Sequence, residues 1–299
     1  METCEAGNSS AMPQSSRRFG VSAIGSELQA RSRRRPSSWY CYGGSDRAFG
    51  NAKLGTTEAR EGITKLRELS VILPTYNEAA NLPALAAALD AALAGIDWEA
   101  IVVDDDSPDG TADAVTALGI ANPRWRCLSR AGRRGLASAC IEGMAMADGD
   151  YLAVMDADLQ HDERLLPAML AKAKADSLDL VVGSRYMAGG SADAFPPTRW
   201  MLSRLGVRLC HALFPRARVS DPLSGFFLLR RARFAEIAPR LSGRGYKILL
   251  DILASADRPL AIGELAYQFR ARRAGKSKLD ARVIFEFLAL LIEKRRRRV

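Results

Sequence analysis

Two histidines, His161 and His211, and five cysteines without a single CxxC spacing leave little to build a soft-ligand metal site from. A structural zinc is therefore not expected, and neither is a disulfide framework. Isolated thiols of this kind behave as small apolar residues and suit a reducing compartment. Long apolar runs are missing as well: none approaches the roughly 20 residues that cross a bilayer. No part of the sequence is expected to span a membrane.

What is present is enough for one catalytic domain with appendages, in 299 residues of which 48% are hydrophobic and 26% charged. The formal charge of +9 favours an anionic partner, whether phosphorylated substrate, nucleic acid or anionic lipid. Residues 1–66 are rich in Ser, Gly and Arg, include Arg33, Arg34 and Arg35 before Pro36, and sustain no helical or strand period. They read as a disordered basic leader. A domain is expected over 67–278, and an apolar-rich helix with a basic end over 279–299.

From Leu69 onward, short apolar runs alternate with helical segments. Leu69 to Leu73, Glu99 to Val103, Tyr151 to Met155 and Leu178 to Val182 read as buried strands, and Asn81 to Leu93, Thr111 to Leu118 and Gly135 to Ala147 as helices. Further strands are expected at Phe226 to Leu229 and Leu260 to Phe269, with a helix around Tyr246 to Ala254. The alternation predicts an α/β fold: a mainly parallel sheet with helices on both faces. Ligands of such sheets sit at the carboxyl ends of the strands. Each motif below starts where a strand stops.

The sharpest motif is Asp156-Ala157-Asp158-Leu159-Gln160-His161, which follows an apolar strand. A turn there can bring both carboxylates to one hard cation, magnesium or manganese, which would neutralise charge on a departing diphosphate. An isolated Asp-x-Asp is more often a solvated loop, so its neighbours carry the argument. Pro74-Thr75-Tyr76-Asn77-Glu78 ends the first strand, and Asp104-Asp105-Asp106-Ser107-Pro108-Asp109-Gly110-Thr111 ends the second. Three adjacent carboxylates repel one another unless amines, hydroxyls or backbone N–H groups lie close. Asp109 and Thr111 suit helix capping equally well. Gly183-Ser184-Arg185-Tyr186 follows a later strand, and Arg199-Trp200-Met201-Leu202-Ser203 opens a helix. Arginines at a strand end and a helix start can share one phosphate. The competing role for Arg185 is a structural ion pair.

This ordered series, with Asp221-Pro222-Leu223-Ser224-Gly225-Phe226-Phe227 and Arg272-Arg273-Ala274-Gly275-Lys276-Ser277-Lys278, resembles the GT-A fold glycosyltransferases of family 2, within them the dolichol-phosphate mannose synthase group. The resemblance covers about two thirds of the chain, from Leu69 to Asp280. It implies nucleotide-sugar contacts at Pro74, Tyr76, Glu78, Asp105, Asp156, Arg272 and Lys278. It implies metal ligation by Asp156, Asp158 and Gln160, with Mg2+ or Mn2+ as cofactor. It places the acceptor phosphate at Arg185, Arg199 and Ser203, and catalysis at Asp158, Arg185 and Arg272. Arg272 belongs to a basic loop closing over the diphosphate; Lys276 stands where many relatives carry an acid.

The activity implied is inverting transfer of a sugar, with mannose from GDP-mannose expected, to dolichyl or polyprenyl phosphate. A phosphate monoester is already anionic near neutral pH and attacks without a strong base. If a base exists, Asp251 or Asp221 is the candidate by family analogy. Phe285, Phe287, Leu288, Leu291 and Ile292 could place an apolar face in lipid headgroups while Lys294 to Arg298 bind anionic lipid, and packing on the domain is an equal alternative. The expected location is peripheral, at the cytoplasmic face of a membrane, with a membrane anchor protein as a further partner. No nucleic acid is expected, because no aromatic platform accompanies the basic run. The rivals are a related transferase using UDP-glucose or a polysaccharide hydroxyl, and a non-catalytic nucleotide-sugar sensor.

Overall fold

The computed structural model describes residues 67–191, 197–214, 219–270 and 281–296. Seven strands form one sheet in the order β3-β2-β1-β4-β6-β5-β7: β1 Arg67–Thr75, β2 Trp98–Asp104, β3 Trp125–Ser129, β4 Gly149–Val154, β5 Leu180–Ser184, β6 Phe227–Arg230 and β7 Ile262–Ala266. All neighbours pair in parallel except β6, which runs antiparallel to both β4 and β5. Strands β1, β2, β4 and β5 are nearly continuous apolar runs because both faces of the sheet are covered. The helices are α1 Leu82–Ala92, α2 Thr111–Ala121, α3 Leu136–Met146, α4 Leu166–Ala175, α5 Pro197–Leu213, α6 Arg231–Ile237, α7 Ile248–Ser255 and α8 Ala281–Arg296.

Alternate residues of one strand feed different cores. Ile72, Ile101, Val103 and Val154 pack on one side with α3, α7 and α8, whereas Val71, Leu73, Val102 and Met155 pack on the other with α1 and α4. Each fully buried aliphatic side chain contributes roughly 1.5–3 kcal/mol. Helix α3 lies close to the sheet because Gly143 faces it: a Cβ there would meet Ile72 Cγ2 at 2.7 Å and Val103 Cγ2 at 2.8 Å. That approach sets the amino end of α3 beside the carboxyl end of β2.

The antiparallel β6 was not foreseen from the apolar pattern, and it matters for the site. Because it runs the other way, its amino end lies at the edge where the carboxyl ends of β1, β2, β4, β5 and β7 also lie. The segment 221–226 before β6 therefore joins the loops that follow the parallel strands. Strand β3 and helix α4 are further elements the pattern did not reveal. Both are amphipathic only weakly: β3 has one buried residue, Trp125, and α4 mixes four alanines with two lysines.

Candidate active site

Residues 75–78, at the end of β1, meet residues 104–111 through side-chain bonds. Asn77 N donates to Ser107 Oγ at 2.9 Å, Glu78 N to Thr111 Oγ1 at 3.1 Å, and Ala79 N to Asp109 Oδ2 at 3.0 Å. Glu78 Oε2 accepts from Asn81 Nδ2 at 2.7 Å, and Pro74 pairs in register with Val103. The acidic cluster is divided among separate tasks. Asp104 accepts from Thr75 Oγ1 and from Ser107 N and Oγ, Asp106 accepts from Gly132 N, and Asp109, two residues before α2, accepts from Thr111 N and Oγ1.

Asp105 is different. Its Oδ2 accepts from Gly135 N at 2.7 Å, at the start of α3, and Arg130 Nη1 lies 3.0 Å from its Oδ1. That guanidinium is out of line for a hydrogen bond, so Oδ1 is a buried acceptor without a hydrogen-bond donor. Burial pushes the carboxyl above its ordinary pKa, against the lowering pull of the Gly135 N–H and of Arg130. A buried carboxylate oxygen lacking a donor is costly unless a ligand N–H or O–H supplies one. Beside it, the Arg134 guanidinium lies 4.2 Å from the Tyr76 ring centroid, a cation–π contact at the end of β1. Arg130 and Arg134 were missed in the sequence because they lie in the β3–α3 connection, outside any motif; only the density of Arg there hinted at them.

The loop after β4 carries Asp156, Asp158 and Gln160. Asp156 is half-buried, with its side chain 39% accessible, and Asp158 is buried. Asp158 Oδ1 accepts from Gln160 N at 3.1 Å, and Leu159 adopts a left-handed φ of 61°. Asn77 and Asp106, in the neighbouring loops, do the same, and non-glycine residues in this region signal a backbone held by its surroundings. Gln160 Nε2 donates to Arg270 O at 3.0 Å, and Arg270 N donates back to Gln160 O at 2.9 Å. The amide is thus oriented by the chain that leads into the basic segment.

Among the described residues no group of three or more His, Cys, Asp or Glu side chains could hold a metal ion. Two carboxylates and an amide fit a hard cation that draws its other ligands from phosphate oxygens and water. His161 braces this loop: its Nδ1 accepts from Asp156 N at 3.0 Å, which places the ring proton on Nε2. The ring stacks on Phe226 at 5.1 Å and meets Tyr267 and Phe269 edge-on. Burial pushes its pKa down to about 4, so the imidazole is neutral near pH 7.

After β5, Arg185 donates from Nε to Asp221 Oδ2 at 2.7 Å and from Nη2 to Asp221 Oδ1 at 2.9 Å. Burial disfavours its charged form, but the Asp221 charge outweighs this and holds the guanidinium above its usual pKa. The loop that carries Asp221 is fixed by Glu264 Oε1, which accepts from Ser220 N and Oγ, both at 2.7 Å. Ser203, on α5, shares a 2.7 Å hydrogen bond with the Tyr186 hydroxyl, so Ser203 and Arg185 flank the same tyrosine. Arg199 lies in the first turn of α5, placed by its backbone. Arg272, Lys276 and Lys278 lie outside the described residues.

Two expectations are corrected. Asp251 is no base at the sheet edge: it is fully buried between α7 and α8, 2.5 Å from Lys294 Nζ. Lys294, for which lipid contact and packing on the domain were equal alternatives, packs on the domain as a core residue, because a carboxylate inside the domain needs its charge. Asp221 is fully buried as well and engaged by Arg185 through both oxygens, which suits it to holding that arginine and not to taking a proton.

Residues 70–237 match the family model described as glycosyl transferase family 2. The chain is 39% identical over 222 residues to a dolichol-phosphate mannosyltransferase of Pyrococcus furiosus, covering 74% of this chain and 62% of that protein. It is 36% identical over 235 residues to the dolichol-phosphate mannosyltransferase of Saccharomyces cerevisiae, covering 76% of this chain and 86% of that one. The chain thus spans less than two thirds of the archaeal relative's length and most of the yeast relative's. Among solved structures, glucosyl-3-phosphoglycerate synthase from Mycobacterium tuberculosis, in complex with Mn2+, UDP and glucosyl-3-phosphoglycerate, is similar with a TM-score of 0.57 at 23% identity, over 76% of this chain and 80% of that one. That likeness speaks for the fold. Because the family model covers the strands and loops that build the pocket, and two relatives align over three quarters of the chain, this protein belongs to glycosyl transferase family 2.

Proposed function

We propose that the protein transfers mannose from GDP-mannose to dolichyl or polyprenyl phosphate at a membrane surface, with inversion at the anomeric carbon. The observation that carries this reading is the paired arrangement at one sheet edge: a buried Asp105 oxygen without a hydrogen-bond donor and the Arg134–Tyr76 contact, and separately a buried arginine, Arg185, against Tyr186, whose hydroxyl bonds Ser203 of α5. The similarity to the dolichol-phosphate mannosyltransferases of Pyrococcus furiosus and Saccharomyces cerevisiae supports the choice of acceptor and sugar.

In this reading Asp105 Oδ1 accepts an N–H of the base, and Tyr76 with Arg134 offers a flat, charged wall beside it. Asp156, Asp158 and Gln160 would hold Mg2+ or Mn2+, which supplies neutralisation of the diphosphate. The protein's own contribution is alignment. Arg185 is held in one orientation by Asp221, and its positive charge at the end of β5 would attract an acceptor phosphate. The phosphate oxygen is already anionic and displaces the nucleoside diphosphate in line, so no side chain has to remove a proton. Arg272, in the basic segment, would add positive charge to the leaving diphosphate.

The membrane surface enters through α5 and α8. Trp200, Met201 and Leu205 on α5 are exposed, as are Phe285, Leu288 and Ile292 on α8, and the two helices pack together near Gly206 and Phe287. The exposed Arg295 and Arg296 follow at the end of α8. Apolar residues beside cationic ones suit an interfacial position on an anionic leaflet, and among the described residues no helix is long and apolar enough to cross a membrane.

The deciding experiment is transfer of radiolabelled sugar from GDP-mannose and from UDP-glucose, with manganese, to polyprenyl phosphate in vesicles. Label from GDP-mannose in the lipid fraction, released by mild acid, is expected. Label only from UDP-glucose, or only in water-soluble product, would replace this reading by the rival transferase.

A further inference from the structure

Lys294 is a charged residue in the protein interior, and its partners are specific. Its Nζ lies 2.5 Å from Asp251 Oδ1, 2.7 Å from Ser255 Oγ and 2.9 Å from Arg240 O, with the side chain 2% accessible and that of Asp251 fully buried. The other carboxylate oxygen, Asp251 Oδ2, accepts from Ser242 N at 2.8 Å and Ser242 Oγ at 2.7 Å. Ser242 Oγ accepts in turn from Arg244 N at 3.3 Å. One ion pair thus ties the end of α8 to the loop 241–247.

That loop touches the nucleotide pocket from behind. Gly245 O accepts the Ala137 N–H at 3.1 Å, satisfying one of the N–H groups that the first turn of α3 leaves open. Gly243 and Gly245 have left-handed φ angles of 65° and 73°. A Cβ on Gly243 would touch Ile141 and Ser138 of α3, and one on Gly245 would touch Glu286 of α8 at 3.5 Å. The loop is therefore wedged between the start of α3 and α8. The same turn of α3 holds Asp105: Gly135 N donates to Asp105 Oδ2 at 2.7 Å, while Arg130 donates to Gly135 O at 3.2 Å and to Ser138 Oγ at 2.7 Å.

We propose that Lys294 and Asp251 are positioning residues for the nucleotide pocket: their buried pair clamps the loop 241–247 against the first turn of α3 and so fixes the backbone N–H that aims Asp105. The proposal rests on the reading of Asp105 as a nucleotide contact. It gives α8, whose outer face carries exposed Phe285 and Ile292, a mechanical connection to donor binding through packed and hydrogen-bonded groups. The distance from lipid-facing helix to base pocket is bridged by two side chains, one loop and one helix turn.

The test uses the full chain and three variants, Lys294→Met, Lys294→Met with Asp251→Leu, and Ser242→Ala, each titrated with GDP and with UDP in the presence of manganese and each melted without ligand. Lys294→Met leaves a buried carboxylate unpaired, so a fall in Tm is expected with it. The apolar pair of the double variant should recover most of that Tm, since well-packed apolar residues commonly replace a buried ion pair without loss. The nucleotide should nevertheless bind about tenfold more weakly to the double variant, in the usual range of coupling between sites, because Ser242 has lost its acceptor. Ser242→Ala should weaken the nucleotide severalfold at nearly unchanged Tm. Donor KM is expected to rise in all three while acceptor KM stays. A double variant that regains Tm and nucleotide affinity together, or a Ser242→Ala protein with unaltered affinity, overturns the proposal and leaves the pair a matter of stability. Asp105→Ala is the control: if it keeps wild-type nucleotide affinity, the donor reading fails first and the clamp loses its endpoint.

Discussion

Arg185 and Asp221 form a two-point ion pair, Nε to Oδ2 at 2.7 Å and Nη2 to Oδ1 at 2.9 Å, between the end of β5 and the loop before the antiparallel β6. The two parallel bonds fix the plane of the guanidinium. Arg185→Ala should cost about 3–5 kcal/mol of stability by leaving Asp221 buried and unpaired. It should also raise the acceptor KM by roughly one to two orders of magnitude, the loss expected for one charge-assisted contact, with nucleotide affinity nearly unchanged. Arg199→Ala should raise the acceptor KM too. Steady-state kinetics and isothermal titration on both variants check this; loss of nucleotide binding with normal acceptor kinetics would exchange the two phosphate sites.

Asp158→Ala removes a buried carboxylate that closes the turn after β4, and with it one ligand of the cation site proposed for Asp156, Asp158 and Gln160. Metal-dependent turnover should disappear while the circular dichroism spectrum is retained. Treatment of the wild-type protein with a chelator should abolish activity, and added Mn2+ should restore it. Turnover that survives either treatment would remove the cation from this site.

The raised pKa of Asp105 has a definite sign for stability. A folded-state pKa above the unfolded value means that the neutral form is favoured in the fold, so its contribution is present below the unfolded pKa and is lost as pH rises through the folded one. Asp105→Asn, which stays neutral, should gain in Tm over wild type as pH rises from 3 toward 7, and should lose nucleotide binding throughout. Thermal melts across that range, with and without GDP, measure both.

Phe285→Ser with Ile292→Ser replaces two exposed apolar residues of α8, at 73% and 54% accessibility. Surface changes of this kind usually move stability by less than about 0.5 kcal/mol. Sedimentation with vesicles of anionic lipid should show weaker association, while turnover of a short-chain, water-soluble acceptor stays at the wild-type level. Undiminished sedimentation would locate the membrane contact elsewhere.

The positions of most strands along the chain, and of the motifs that follow them, were legible in the sequence because both are local. Apolar runs such as Leu69 to Leu73 are buried on two faces and announce themselves, and the Asp-x-Asp loop follows its strand directly. The family resemblance rested on the same short motifs. Less visible were Arg130 and Arg134, whose roles depend on where the β3–α3 connection lands beside Asp105 and Tyr76. The same holds for the aromatic bed of His161, drawn from three separate stretches at Phe226, Tyr267 and Phe269.

The sequence by itself determined the α/β class, the strand-end motifs and the presence of a basic, apolar C-terminal helix. The tertiary structure alone decided the direction of β6, the partner of Arg185 and the burial of Lys294. A charge is read as solvent-facing until a carboxylate from elsewhere in the chain is brought against it. Asp251 lies 43 residues before Lys294 and becomes its neighbour only through the packing of α7 on α8. Long-range pairing of that kind is set by three-dimensional packing, and no local pattern of residue types encodes it.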